Sequence, residues 1–486
     1  MRQWLKGGGA WFILVAAISG GITVSPVIAA VLLAVLLTLL VWRWPDTALG
    51  IVAAGVLTVR PSLDVFGERR LGLGAFALNP AVVFGTCVLW SGLVLAARRA
   101  KAGARLWPDG SSLRAHLWLF AAYGIGFVSA IQLSGGLGAV TAGREIVRVA
   151  SIVAGFLVVV WWVAGDQDRR QRGWLLLFLG AVPPLVLAGW QLITGSGNLE
   201  LEGVNRLQGT LSHPNSFGVY LVPFVLFLVG GIRGRRGARR FAILGGALAL
   251  SALILLTYSR TAVLVLVAGL LVLPFIQSTQ LGWRAAVSTG GLLVLLLAVG
   301  WLLGGDLIRE RFANLSVGRD AWRAAAMGES ENSFTWRLIN WGVLIQMGAS
   351  HPFMGHGAGM TTVLNPLVNP TNGVPFNAHD DFVRFFFEGG FLGLGCYVVY
   401  CVLLCRWALK RARDADVVAR PIAYGVAASL LALTLLSLGT TELSLNTAIL
   451  YELYGMLALI GVGRVRSEVN TPQAAGRKPA SGPRQS

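Results

Sequence analysis

Apolar runs of about 17–20 residues recur along almost the whole sequence, and they constrain the fold more than any other feature. An α-helix needs about 20 apolar residues to cross a bilayer, whereas the strands of an outer-membrane barrel alternate apolar and polar residues. The pattern therefore predicts an all-α polytopic membrane protein with about 12–14 transmembrane helices. The predicted spans lie at residues 8–24, 27–43, 47–60, 79–97, 115–133, 148–165, 174–193, 214–232, 241–257, 261–277, 285–304, 381–405, 421–440 and 445–463.

The composition agrees with a membrane protein. Hydrophobic residues make up 55% of the chain and charged residues only 13%, and the mean hydropathy is +0.68. A net charge of +18 would suggest nucleic acid as the partner of a soluble protein. Here the basic clusters are separated by apolar spans, as basic residues in cytoplasmic loops are, so we expect no nucleic-acid partner.

The positions of the basic clusters predict the orientation of the chain. They fall between alternate spans, at residues 98–114, 169–172, 233–240 and 406–420. Because loops rich in Lys and Arg stay in the cytoplasm, both ends of the chain are expected inside. The polar interval 305–380 is then a long extracytoplasmic loop, and compact proteins rarely carry loops of this length without a function for them.

The chain divides into five segments on this pattern. N-terminal transmembrane helices occupy residues 1–200, and central transmembrane helices occupy residues 201–304. The long extracytoplasmic loop follows at 305–380, and the C-terminal transmembrane helices follow at 381–466. Residues 467–486 are rich in Pro, Gly, Ser and Gln, and this composition predicts a disordered cytoplasmic tail.

Two arginines are predicted at the outer ends of helices. Arg260 lies in the very short connection Thr257–Thr261 between two apolar spans, at the edge of the hydrocarbon. An arginine there is costly unless it snorkels to the interface or has a partner. Arg337 begins an amphipathic stretch that is expected to lie on the membrane surface. Each arginine also has a purely structural reading, as a snorkelling anchor and as a solvated interfacial residue.

A histidine and several acids mark the end of the polar interval. His379 lies two residues after Asn377 and precedes two aspartates, and either Asp380 or Asp381 is a candidate cap for the next helix. Arg384 and Glu388 stand four residues apart in that helix, where they can pair on one face. On its own, a single loop histidine is more often structural than catalytic.

Two arginines and a neutral histidine on one face suggest a displacement that releases a diphosphate. Guanidinium groups bind phosphate oxygens in pairs and stay charged, so Arg260 and Arg337 would neutralise the leaving group in place of a metal ion. His379 would accept a proton from a sugar hydroxyl. We therefore expect neither a metal nor a cofactor.

The chain resembles the O-antigen ligase and O-antigen polymerase superfamily at these residues. The resemblance runs from about residue 200 to 400 and consists of loose pieces whose order and spacing match. The pieces are Thr257–Ala262 with Arg260, Arg337 with Trp341, Pro352–Gly359, His379 and Glu388–Gly393, together with Arg206, Gly209-Thr210 and Pro214-Asn215 upstream.

The resemblance implies a GT-C-like glycosyltransferase in the bacterial cytoplasmic membrane, with its active site facing outward. Its donor would be a glycan on undecaprenyl diphosphate, and its acceptor another glycan or a lipid core. Matching positions imply donor diphosphate binding by Arg260, Arg337 and Arg206 and catalysis by His379, with Asn377, Asp380 and Glu388 in support. Relatives commonly have asparagine at position 380, and an acid there would be expected to raise the pKa of His379.

Two other classes of function remain open from the sequence. A lipid-linked oligosaccharide flippase or another polytopic transporter would also need many spans and a basic inner face. A non-catalytic partner in polysaccharide assembly is the third reading. Ligase and polymerase share the donor chemistry, so these residues do not choose between them.

Overall fold

The computed structural model describes residues 26–66, 80–197, 205–232, 235–281, 333–368, 373, 375–416, 419–441 and 443–461. The predicted spans at 8–24 and 285–304, the first part of the polar interval and the tail at 467–486 lie outside these residues. Nearly all of the described chain is helical. The helices are α1 (Pro26–Arg43), α2 (Pro45–Thr58), α3 (Pro80–Lys101), α4 (Gly110–Val163), α5 (Gln167–Thr194), α6 (Pro214–Gly231), α7 (Ala238–Leu256), α8 (Arg260–Leu281), α9 (Ser333–Gly348), α10 (Thr361–Leu364), α11 (Asp381–Asp414), α12 (Arg420–Leu436) and α13 (Thr447–Gly461), with a 3-10 helix at Arg60–Phe66.

The prediction of an all-α polytopic membrane protein is confirmed. Among the described residues, seven helices are long and apolar enough to cross a membrane, and four shorter apolar helices accompany them. Each predicted span that falls on described residues coincides with one helix or with one arm of α4. Val368 and Pro375 form an isolated β bridge.

Local sequence signals explain where several helices begin. Proline stands in the first turn of α2, α6 and α12, where its missing N–H costs no hydrogen bond. Asp109 caps α4 by accepting the N–H groups of Ser111 and Ser112, both at 2.8 Å. Asp166 caps α5 through the N–H of Arg169 at 2.9 Å.

Long helix α4 is bent into two arms at Gly135, whose φ of 54° and ψ of −129° are not helical. The bend returns the chain toward the side on which α4 began, so the predicted spans 115–133 and 148–165 are the two arms of one bent helix. Helix α11 packs against both arms: Tyr123 contacts Phe385 at 5.4 Å between ring centroids, and Phe156 contacts Trp407 at 6.0 Å.

Burial separates the core helices from the lipid-facing ones. Helix α13 is buried on every side from Ala448 to Leu459. A helix that is apolar all round belongs in the centre of a bundle. On the periphery, Ile193, Phe275 and Phe241 are 82%, 75% and 72% exposed. Such an apolar surface would be covered by lipid tails in a membrane.

Helix α11 is broken at Gly390, with φ 61° and ψ −160°. The turn around His351–Gly357 supplies the hydrogen bonds that the break removes. The N–H groups of His356 and Gly357 bind the carbonyls of Phe387 and Glu388 at 2.8 and 2.9 Å. On the other side of the break, the N–H of Phe391 binds the carbonyl of Pro352 at 2.7 Å. Backbone groups released inside a membrane protein must find partners of this kind.

Candidate active site

Arg206 braces the connection between α7 and α8. It lies in the loop before α6, is only 4% exposed, and donates from Nε to the carbonyl of Thr257 at 3.0 Å. Its Nη2 donates to Oδ1 of Asn215, in the first turn of α6, at 2.9 Å. A guanidinium suits this position because its planar fork reaches two acceptors at once. Arg206 therefore joins the N-terminus of α6 to the turn that precedes α8.

Arg260 is the first residue of α8 and is half-buried. The turn that carries it is strained, because Tyr258 has φ 49°. Ser259 helps to begin α8 by accepting the N–H of Ala262 at 3.2 Å. A non-glycine residue in the left-handed region persists only where its surroundings hold it there. The bond from Arg206 to Thr257 is part of that support.

Arg337 lies in the first turns of α9, which the sequence correctly predicts as a helix-like stretch. Its Nη1 donates to the carbonyl of Gly439, just beyond the end of α12, at 3.4 Å. Two further side chains of α9 hold the backbone before His379. Asn340 donates to the carbonyl of Asn377 at 2.9 Å, and Trp341 Nε1 donates to that of Ala378 at 2.8 Å.

His379 is held in an unusual backbone conformation between α9 and α11. Its φ is 49°, and its N–H donates to Oδ1 of Asn377 at 2.9 Å. The edge of its ring meets Trp336 at 5.5 Å between centroids. Among the described residues, His379 and Tyr258 are the two non-glycine residues with positive φ, and both lie in predicted site segments.

The surroundings of His379 keep its imidazole neutral. Burial, and then the positive charge of Arg337 and the neighbouring His213, lower the pKa of His379 to about 3. Asp380 accepts the N–H of Val383 at 2.9 Å and thereby caps α11, as predicted. The expectation that Asp380 raises the pKa of His379 is wrong. Its carboxyl is engaged by the first turn of α11, and burial raises its own pKa.

His213 is a site residue to which the sequence analysis gives no role. Its Nδ1 accepts the N–H of Asn215 at 3.0 Å, so the side chain caps α6. Because His213 lowers the pKa of His379, the start of α6 lies in the same region as His379. A signal was present, because a polar residue directly before a proline is a common helix start. An electrostatic interaction links His379 to His213, and hydrogen bonds lead from His213 through Asn215 to Arg206 and the turn before Arg260.

Two parts of the predicted set lie elsewhere. Glu388 pairs with Arg384 at 3.1 Å, as predicted, two turns into α11 and below the segment that carries His379. The glycine-rich turn around Gly355 serves the break in α11 and packs between the arms of α4, where the N–H of Ala358 binds the carbonyl of Gly126 at 2.9 Å.

Comparison with known proteins finds a family match that includes most of the candidate site. A family model described as O-antigen ligase matches residues 245–398, about a third of the chain. The match includes Arg260, Arg337 and His379, whereas Arg206 and His213 lie outside it. No curated protein matches the chain.

The polytopic helical fold and this match define the class: a membrane protein with a region similar to O-antigen ligases, which are glycan-transferring enzymes. More particularly, the match confirms the predicted relation to the O-antigen ligase and polymerase superfamily.

Proposed function

We propose that the protein transfers a glycan from an undecaprenyl-diphosphate donor to an acceptor hydroxyl at the extracytoplasmic face of the bacterial cytoplasmic membrane, without a metal ion. One observation carries the proposal: a neutral histidine, His379, stands beside the permanent charge of Arg337. A base that is free of its proton next to a fixed cation suits a reaction that deprotonates one partner and releases an anion from the other.

The proposed step forms one bond and breaks one. The acceptor oxygen attacks the anomeric carbon of the donor while a ring nitrogen of His379 takes the hydroxyl proton. The bond between the anomeric carbon and the phosphate oxygen breaks, and its electron pair leaves with the lipid diphosphate. Arg260 and Arg337 bind that diphosphate and offset its charge in the transition state.

Donor binding would also strengthen the base. In the empty site the charge of Arg337 opposes protonation of His379. A diphosphate bound by Arg337 cancels part of that charge, so the pKa of His379 rises when the donor is present. The histidine then becomes a stronger base in the complex in which it is needed.

Arg206 has a positioning part in this proposal. The family resemblance implies that it is a third diphosphate ligand, but it is 4% exposed and donates from Nε and Nη2 to Thr257 and Asn215. It supports the strained turn that presents Arg260. Asn377 and Asp380 act in the same way on His379, through its backbone N–H and through the start of α11.

The proposal is tested with the purified protein in proteoliposomes that contain a lipid-linked repeat unit. We expect a product heavier by one or more repeats, or a glycosylated acceptor, together with one undecaprenyl diphosphate released for each glycosidic bond formed. Mass spectrometry and phosphate analysis measure both. Movement of the donor between leaflets without a new glycosidic bond would contradict the proposal and favour a flippase.

A further inference from the structure

A cluster of buried charges lies directly behind the proposed site, and the proposed chemistry does not use it. We call it the buried charge cluster; its members are Glu145 and Arg148 on the second arm of α4, Asp381, Arg384 and Glu388 on α11, and Ser444 before α13. Arg384 is 2% exposed and lies at its centre. Charges with so little access to water need partners on every side.

Arg384 joins two helices and a connecting segment. Its Nη2 donates to Glu145 at 2.7 Å and its Nε to Glu388 at 3.1 Å. Its Nη1 donates to Oγ of Ser444 at 2.9 Å. The atom that accepts from Arg384 Nε, Glu388 Oε1, also accepts a hydrogen bond from the hydroxyl of Thr361, in the single turn α10, at 2.7 Å. Three nitrogens of one guanidinium thus fix α4, α11 and the residues before α13.

The same cluster holds the connection between α12 and α13. Arg148, which pairs with Glu145, donates to the carbonyls of Ser444 at 2.9 Å and Leu445 at 3.2 Å. Ser444 in turn donates to the carboxyl of Asp381. The N–H of Asp381 binds the carbonyl of Ser437, at the end of α12, at 2.9 Å.

Two parts of the buried charge cluster adjoin the proposed site. Asp381 begins α11, and His379 stands two residues earlier in the chain. The connection between α12 and α13 contains Gly439, whose carbonyl accepts Arg337 at 3.4 Å. A displacement of α11 relative to this connection would therefore move His379 relative to Arg337.

Stability alone is a poor explanation for such a cluster. Apolar residues of similar volume in place of a buried ion pair are often neutral or stabilising, because the charges must be stripped of water. A charge network does supply directional bonds that define one arrangement of the elements it joins. Reacting groups have to be held to within a fraction of an ångström, and remote side chains contribute to that precision.

We propose that the buried charge cluster, to which α4 contributes Glu145 as the direct partner of Arg384, positions His379 relative to Arg337. Glu145 lies outside the region that matches the O-antigen ligase family, about a hundred residues before it. The inference rests on the proposed function. Glu145 is a positioning residue in it, because Glu145 acts through Arg384 and α11 and does not touch the substrate.

The test compares Glu145→Gln and Glu145→Asp in the full-length protein, in the proteoliposome assay. Glutamine keeps the shape but removes the charge that holds Arg384 and Arg148. We expect kcat to fall about tenfold or more, while KM for the lipid-linked donor changes less than about threefold. Aspartate keeps the charge. If kcat falls about tenfold in Glu145→Gln, we expect it to fall no more than about threefold in Glu145→Asp. A purely structural role would lower the amount of folded protein and leave kcat per folded molecule unchanged.

Asp109→Asn is the matched control. Asp109 is also a partly buried carboxylate paired with an arginine, Arg411, but it caps α4 at the end that faces away from the site. Asparagine is isosteric and still caps a helix. We expect kcat of this variant to stay within about twofold of wild type, because the change is of the same chemical kind but far from His379.

Ser444→Ala is a milder variant in case Glu145→Gln does not fold. It removes one bond to Arg384 and one to Asp381 without leaving a new unpaired charge, and we expect kcat to fall about threefold with KM for the donor unchanged. Unchanged kcat in the folded variants, alongside loss of activity in His379→Ala, would overturn the positioning role and leave the proposed function standing. Full activity of His379→Ala would overturn the proposed function and the positioning role with it.

Discussion

At the residue scale, the protonation of His379 is set by neighbours in space and not by neighbours in sequence. Asp380 is adjacent in the chain, but its carboxyl is engaged by the first turn of α11. Burial lowers the pKa of the imidazole most, and the charge of Arg337, which comes from another helix, and the neighbouring His213 lower it further. The sign of this shift therefore could not be obtained from the residues that flank His379.

The lowered pKa makes a prediction about pH dependence. Because His379 has a pKa of about 3, its ring is neutral and able to accept a proton at every pH above about 4. We expect kcat/KM, which reports the free enzyme, to show no loss from this group between pH 5 and 8. As the pH is lowered, we expect kcat to begin its decline at a higher pH than kcat/KM does, because bound diphosphate raises the pKa of His379. Initial rates over this pH range measure both, and an acid limb in kcat/KM near pH 6.5 would contradict the account.

Arg206→Lys is expected to be harmful although it keeps the charge. A lysine supplies one ammonium and cannot reach both Thr257 and Asn215 in the geometry of a guanidinium fork. A buried acceptor left unsatisfied costs about 1–3 kcal/mol, so we expect kcat/KM for the donor to fall about tenfold. Arg114→Lys, at an exposed position near the start of α4, is the control. Equal activity of the two variants would show that Arg206 does not brace the turn before Arg260.

At the scale of elements, the break in α11 is the feature that organises the end of the bundle near the proposed site. It separates the short arm that carries Arg384 and Glu388 from the longer arm that follows Phe391. The sequence shows the glycines of the turn at residues 351–357 and of the break at Gly390. The hydrogen bonds between these two segments become visible only in three dimensions. Nothing in the local spacing says that the backbone of residues 352–357 will cap both ends of a break some thirty residues later.

Gly390→Ala tests this break. With φ 61° and ψ −160°, Gly390 has a conformation available essentially to glycine, and an added Cβ would overlap the backbone of Phe353. We expect a loss of about 1–3 kcal/mol in stability and a lower midpoint of thermal unfolding in detergent. Gly395→Ala is the matched control in the same helix, where an added Cβ meets no atom within 4 Å. An equal midpoint for the two variants would mean that Gly390 does not adopt the broken conformation in the membrane.

At the scale of the whole molecule, the sequence predicts the spans well and the internal contacts poorly. Hydropathy locates the described helices other than α9, the single turn α10 and the 3-10 helix, because a bilayer demands long apolar segments. The pairing of Arg384 with Glu388 is also predictable, since residues four apart share a helix face. The contact of Arg384 with Glu145 is not predictable, because it depends on the bend at Gly135 and on how α4 packs against α11.

Orientation is a property of the whole molecule and has its own test. The basic loops predict that Lys101 is cytoplasmic and that Ser196, beyond the end of α5, is outside. We expect a membrane-impermeant maleimide to label Ser196→Cys in intact cells and Lys101→Cys only after permeabilisation. Cys396, Cys401 and Cys405 are buried and should label little, and the half-buried Cys87 is replaced by serine in both variants to remove its background. The reverse labelling pattern would put the proposed site on the cytoplasmic face.

The central claim is that Arg260, Arg337 and His379 act on one donor molecule with separate duties. Its most direct test measures donor binding and turnover for the alanine variant of each residue in the same proteoliposomes. We expect His379→Ala to bind the lipid-linked donor as wild type does, while its turnover falls about a hundredfold or more. We expect Arg260→Ala and Arg337→Ala to bind the donor about ten to a hundred times more weakly, as the loss of a charge-assisted contact predicts. Wild-type binding by both arginine variants, or full turnover by the histidine variant, would contradict the account.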